Sequence, residues 1–327
     1  MIQASVSQIG SVLFDTPATL RRIEATCRAA AACGSRLLVL PEAILGGYPK
    51  GLTFGTKVGS RSNAGRDQFL RYCHASIRCP GPETEMLAAW SKELNLHLVL
   101  GVVERDGGTL YCSSLLFSPD RGLLTKHRKL IPTGSERLIW GFGDGSTLNV
   151  TETEIGRIGM AICWENYMPM YRQHLYNQGV EIWCAPTVDA REIWQTSMRH
   201  IAYEGRCFVL SACQFLTKSD WPEDLHEEAG EIDGKSLIVS PFGEILAGPQ
   251  QGEGLLTSAL NLDDIPAANS TWTSPDTIAA RTSLSSKRPE EWCATNKSGR
   301  LVASPPPLLV QSVRSTRYLR SNPAGNF

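Results

Sequence analysis

Apolar and β-branched residues alternate with small polar ones in IQASVSQI, residues 2–9, which is the period-two rhythm of a strand. The rhythm then turns helical in TPATLRRIEATCRAAAACG. Thr16 is placed to cap that helix, Pro17 fits its first turn and Gly34 stops it. In RLLVL the run after Arg36 is wholly apolar, a buried strand that stops at Pro41. PETEMLAAWSKELN predicts a second amphipathic helix and LHLVLGVVER a strand after it. GTLYCSSLLFSP and GLLTKHRKL predict a hairpin about Asp120, Arg121 and Gly122. RIGMAIC leads as a strand into a helix across residues 169–178, ended by Gly179. EIWCAPT, WQTSMRHIAYEGR and CFVLSACQF then give strand, helix and strand. KSLIVSPFGEILAGP and GLLTSALNL predict late antiparallel strands.

Strands that alternate with helices predict a layered α/β fold, and the hairpins make its sheets mixed. No G-x-G-x-x-G follows the first strand and no P-loop occurs, so the pattern offers no nucleotide site. Two segments break the alternation. Residues 217–233 are polar and acidic, with Trp221 and Pro222 in their middle, and read as a surface loop expected beside an active site. From residue 266 the periodicity dissolves into a stretch with eight Lys/Arg against three Asp/Glu and the run SPPPLL. The organisation expected is therefore one domain over residues 1–265 and a disordered tail over 266–327.

Composition narrows the function. A net charge of −1 lacks the basic footprint of a nucleic-acid binder. The longest apolar runs are too short to span a membrane, and the first residues lack the pattern of a signal peptide. Ten cysteines without C-x-x-C spacing read as reduced thiols of a cytoplasmic protein. Six scattered histidines, without H-E-x-x-H, predict no metal site.

Three charged or nucleophilic groups stand just past strand ends. Cys163 follows the strand RIGMAI and precedes a helix. It reads either as a small buried hydrophobe, as Cys184, Cys207 and Cys213 do within their strands, or as a nucleophile at an elbow. Glu42 ends RLLVLPE. It is either a surface-loop glutamate or, given the apolar AILGGYP that follows, a desolvated carboxyl with its pKa raised toward that of a general base. Lys129 lies in LTKHRKLIPT and reads either as part of a solvated basic face or as a third site group. In α/β sheets ligands collect at strand ends. Thiol, carboxylate and ammonium together are what amide-like chemistry needs: a nucleophile, a proton carrier and a stabiliser of negative charge.

The blocks LPEAILGGYPKG, KHRKLIPTGSERLIWGFGDGST and GMAICWENYMPMYRQHLYNQGVEIWCAPT, continued by WQTSMRHIAYEGRCFVLSACQF, resemble the nitrilase branch of the carbon–nitrogen hydrolase superfamily. The resemblance covers roughly residues 2–263, and its CWEN and GGYPKG boxes are closest to the bacterial and plant-type nitrilases. It implies a four-layer α-β-β-α sandwich and a Glu-Lys-Cys triad. By position Glu42 is the general base, Lys129 the charge stabiliser and Cys163 the nucleophile, with Glu136 of GSER orienting Lys129. Trp164 is expected to shape the pocket wall, and Glu165 to be structural. The implied reaction takes a nitrile and water to the carboxylic acid and ammonia, with no cofactor or metal. An amidase or a nitrile or cyanide hydratase on the same triad is the alternative, and an inactive assembly or binding relative is a further one.

The resemblance also implies a homo-oligomer, dimeric at least. Spiral assembly is in doubt because the tail departs from the family. Where nitrilases continue past LNLDD with a segment like LDLDVAGHYRRPDVFE, this chain has NSTWTSPDTIAARTSL from Asn269. The two can be written as different frames of one DNA, so a single-base frame change near Ile265 is expected to have produced residues 266–327. A gene whose other frame does not spell that segment would exclude it.

Overall fold

The structure, a computed structural model, describes residues 1–60 and 62–270; the tail and its expected disorder and frame change lie outside them. All described residues belong to one compact unit. The first half runs β1 (Ile2–Gln8), α1 (Thr16–Ala32), β2 (Leu37–Val39), α2 (Asn63–Ala75), α3 (Pro82–Leu94), β3 (His97–Asp106), β4 (Thr109–Ser118) and β5 (Gly122–Arg128). The second runs β6 (Thr151–Thr153), β7 (Gly156–Met160), α4 (Pro169–Asn177), β8 (Ile182–Thr187), α5 (Glu192–Gly205), β9 (Phe208–Cys213), β10 (Phe215–Leu216), β11 (Ile232–Asp233), β12 (Leu237–Val239), β13 (Ile245–Ala247), β14 (Gly254–Leu260) and α6 (Asp264–Asn269).

Two mixed six-stranded sheets form, in the orders β14-β1-β2-β3-β4-β5 and β13-β12-β9-β8-β7-β6. In the first, β1, β2 and β3 are parallel, and the hairpin β4–β5 folds back antiparallel. In the second, β7, β8 and β9 are parallel. The short β10–β11 pair stands apart.

Side-chain alternation explains the layers. Leu37 and Val39 of β2 join Val99 and Leu116 against Ile158, Ile182, Phe208 and Leu210, so the inner faces of both sheets share one core. Leu38 points the other way and packs with Leu98 and Leu100 under Ile23, Cys27, Leu87 and Trp90 of α1 and α3. On the far side, Leu175, Met198 and Ile201 of α4 and α5 cover Trp183, Ala185 and Val209. The result is the four-layer α-β-β-α sandwich.

Two local expectations change. Asp15 rather than Thr16 caps α1, accepting from Ala18 N at 2.8 Å, because Thr16 Oγ1 donates to the carbonyl of Ala75 at 2.5 Å. The strand before Cys163 ends at Met160, and Cys163 opens a short 3-10 turn, Cys163–Tyr167.

Candidate active site

The parallel strands β2 and β7 and the strand β5 deliver their C-terminal ends to one edge of the sandwich. Glu42 lies three residues past β2, Lys129 one past β5 and Cys163 three past β7. Glu136 comes from a 3-10 turn, Gly134–Leu138, that follows β5. All four are buried, with Glu42 at 0%, Lys129 at 1% and Cys163 at 6% exposure.

The ammonium of Lys129 is the hub. Its Nζ donates to Glu42 Oε1 at 2.7 Å and to Glu136 Oε2 at 2.9 Å. Glu136 is itself fixed from both sides: Thr133 N donates to Oε2 at 2.6 Å and Tyr48 Oη to Oε1 at 2.8 Å. Glu42 differs. Its Oε2 is buried and makes no hydrogen bond among the described residues. That leaves one carboxylate oxygen open for a proton.

Charge and burial set the protonation states. Burial pushes Lys129 down, but Glu42, Cys163, Cys112 and Glu136 around it raise it well above the ordinary lysine value, so it stays an ammonium. Burial raises Glu42 above the usual carboxylate range; Lys129 works against this and Glu136 with it. Burial also raises the Cys163 thiol, as does the charge of Glu42, while Lys129 and a hydrogen bond with Thr187 oppose them. A resting thiol beside a basic carboxylate is the outcome. A thiol so placed can become a nucleophile by giving its proton to such a neighbour.

Backbone geometry aims these groups. Cys163 has φ +47°, left-handed and strained for a non-glycine residue. Asn166 holds the bend, its Nδ2 donating to the carbonyls of Ala161 at 2.9 Å and Cys163 at 2.8 Å while its Oδ1 accepts from Trp183 Nε1 at 2.8 Å. Glu165, expected to be structural, ties the segments that carry Lys129 and Cys163 together. It accepts from Leu130 N at 2.7 Å, just past Lys129, and from Ile162 N at 2.8 Å, just before Cys163. His127 Nε2 lies 3.0 Å from the same carboxylate. Glu42 is anchored through its carbonyl, which accepts from Gln214 Nε2 at 2.7 Å.

A cavity of about 590 Å³ opens over the thiol, lined among others by Tyr48, Glu136, Cys163, Trp164, Val188 and Asp233. Trp164 is 44% exposed and packs on Tyr167, with ring centroids 4.8 Å apart. It lines the cavity. The acidic segment 217–233 closes the outer side: Gly230 N donates to the carbonyl of Lys50 at 3.1 Å, and Lys50 Nζ donates to the carbonyl of Glu231. Among the described residues no group of three or more His, Cys, Asp or Glu side chains is placed to hold a metal ion.

The sequence pointed to Glu42, Lys129, Glu136, Cys163 and Trp164, and all five meet here. Tyr48, Thr133, Asn166 and Gln214 were missed. All four lay inside quoted blocks: Tyr48 in GGYP, Asn166 in CWEN, Gln214 in SACQF, and Thr133 in TGSE, whose T-x-x-E spacing is a capping signal that was not read; the long-range partners of Tyr48 and Gln214 are set only by the fold.

Comparison with known proteins agrees with the sandwich. Residues 3–269 match the carbon–nitrogen hydrolase family, and the chain belongs to it. Within that family it falls in the nitrilase branch. It is 50% identical over 273 residues to an aliphatic nitrilase of Sinorhizobium fredii, covering 81% of this chain and 88% of the relative. It is 49% identical to nitrilase 2 of Arabidopsis thaliana, covering 82% and 83%. It is 48% identical to a bifunctional nitrilase/nitrile hydratase of Nicotiana tabacum, covering 82% and 80%. Among solved structures, a carbon–nitrogen hydrolase from Helicobacter pylori superposes with a TM-score of 0.68 at 19% identity, over 90% of this chain and 98% of that one. That likeness concerns the fold.

Proposed function

We propose that this chain is a nitrilase that converts an organic nitrile and two waters to a carboxylic acid and ammonia. The observation that carries the reading is the Lys129 ammonium, buried between Glu42 and Glu136 beside a thiol in a left-handed turn. The Cys163 thiol gives its proton to Glu42 Oε2 as the sulfur bonds the nitrile carbon. Glu42 passes that proton to the nitrile nitrogen, which restores its carboxylate, and a thioimidate results. Lys129 faces the charge that develops at this step. Water then adds, with Glu42 accepting its proton. The carbon–nitrogen bond breaks, ammonia leaves and a thioester remains. A second water, deprotonated in the same way, breaks the carbon–sulfur bond and frees the acid and the thiol.

A second product is chemically open at the tetrahedral intermediate, which can expel the thiol instead of ammonia and release the amide. Similarity to bifunctional nitrilase/nitrile hydratases favours a share of this outcome. Homo-oligomeric assembly, at least as a dimer, belongs to the same proposal and is supported by the family resemblance. So does a cytoplasmic setting: the nine described cysteines are all free thiols, and no helix among the described residues is long and apolar enough to cross a membrane.

The test is a panel of aliphatic, aryl and arylacetonitriles, with ammonia, acid and amide all quantified. Ammonia and acid in equal amounts from at least one nitrile are expected, with amide as a minor product. Turnover of amides with none of any nitrile would overturn the nitrilase reading.

A further inference from the structure

Glu42 has two unlike oxygens. Oε1 accepts from Lys129 Nζ at 2.7 Å and lies 3.6 Å from the sulfur of Cys112, which donates to it. Oε2 has no partner among the described residues. The carboxylate is therefore held at one oxygen by two donors and left open at the other.

Cys112 is well placed to act in this way. It lies on β4 opposite Val103, and its own carbonyl accepts from Lys129 N at 2.8 Å. One residue thus touches the backbone of the ammonium donor and the side chain of the general base. It is 1% exposed, among Ala43, Val103, Trp140 and Ile162.

We propose that Cys112 is a positioning residue for the general base: its thiol donates to Glu42 Oε1, stabilises the carboxylate form and directs the basic lone pair of Oε2 toward Cys163 and the substrate. This role rests on Glu42 being the base. It requires Cys112 to remain a thiol, and both burial and the charge of Glu42 keep it protonated. It is not a second nucleophile. A thiol is a weak donor in water, but facing an anion in a dry interior it gains strength.

The sign of the effect follows. A donor to a carboxylate favours its charged form and holds its pKa down. Loss of the donor raises Glu42, so the base is protonated at higher pH and the acid limb of kcat/KM moves up. Cys112→Ala and Cys112→Ser leave similar space, but only serine keeps a donor. Cys112→Val removes the donor while keeping the bulk, should alanine not fold.

The experiment measures kcat/KM against pH on a turned-over nitrile for these variants and for Glu42→Gln. The expected result is that the acid limb of the alanine or valine variant moves up by about half a pH unit, a roughly threefold loss on the acid side, while serine holds it at or below the wild-type position. Alanine, valine and serine variants that share the wild-type limb would reduce Cys112 to packing, whatever their Tm. Loss of turnover in Glu42→Gln with an unmoved limb in Cys112→Ala sinks the Cys112 role alone. Wild-type turnover in Glu42→Gln sinks the base assignment, and this role with it.

Discussion

Glu42 and Glu136 both touch one ammonium, yet they are not equivalent. Glu136 spends both oxygens on donors, Lys129 and Thr133 N at Oε2 and Tyr48 Oη at Oε1. Glu42 keeps Oε2 free. A group without an open lone pair orients; one with an open lone pair can take a proton. Glu42→Gln is accordingly expected to abolish the covalent adduct with nitrile, by about a thousandfold or more in rate. Glu136→Gln is expected to be milder, about ten- to a hundredfold, since its amide oxygen still accepts from Lys129. Intact-protein mass after mixing with nitrile reads both. An essential Glu136 beside a dispensable Glu42 would reverse the roles. At this scale the sequence was informative where a charged group stood just past a strand, as at Glu42, Lys129 and Cys163. It was silent on Tyr48 and Gln214, whose contacts reach 88 and 172 residues along the chain. No local period announces such a partner.

Elements place these residues, and the approach of β3 to the segment after β2 is the tightest example. Gly101 of β3 lies against Glu42. A Cβ there would stand 2.4 Å from Ala43 N and 2.5 Å from Glu42 Cα, both backbone atoms. Gly101 N also donates to the carbonyl of Pro41 at 3.0 Å. Gly101→Ala must therefore displace the Glu42 segment. A tenfold or greater fall in kcat/KM is expected, with Tm lower by about several degrees. A fully active, equally stable variant would show that this contact does not set the position of Glu42. The alternation of strand and helix was legible because most elements bury one full face. Helix α2 was missed because NAGRDQFLRYCHA buries only Gly65, Tyr72 and Ala75 and has no apolar stripe to read. The three-residue strand β6, with the partly buried pattern of TET, is too short to show a period. Thr16 was mistaken for the cap because its hydroxyl is drawn to Ala75, a contact 59 residues away.

For the whole molecule, the sandwich brings two strand ends from one sheet and one from the other to a common edge, and buries the charges where they meet. Neither sheet alone holds the site: Glu42 and Lys129 follow strands of the first, Cys163 a strand of the second. The layered class was legible from periodicity; the pairing of the two sheets came from the family resemblance, since no local pattern states which faces meet. The central claim is that one thiol of many performs the chemistry. Cys184, Cys207 and Cys213 are also buried and lie on β8, before β9 and at the end of β9, but only Cys163 combines a left-handed turn with Glu42 and Lys129. The decisive measurement is ammonia release from a nitrile by Cys163→Ser, beside Cys184→Ala, Cys207→Ala and Cys213→Ala. The account predicts a loss of about a thousandfold or more for Cys163→Ser, because a serine hydroxyl is far less acidic than a thiol, and a chemical step largely intact in the other three. A Cys163→Ser enzyme that releases ammonia at the wild-type rate would contradict it.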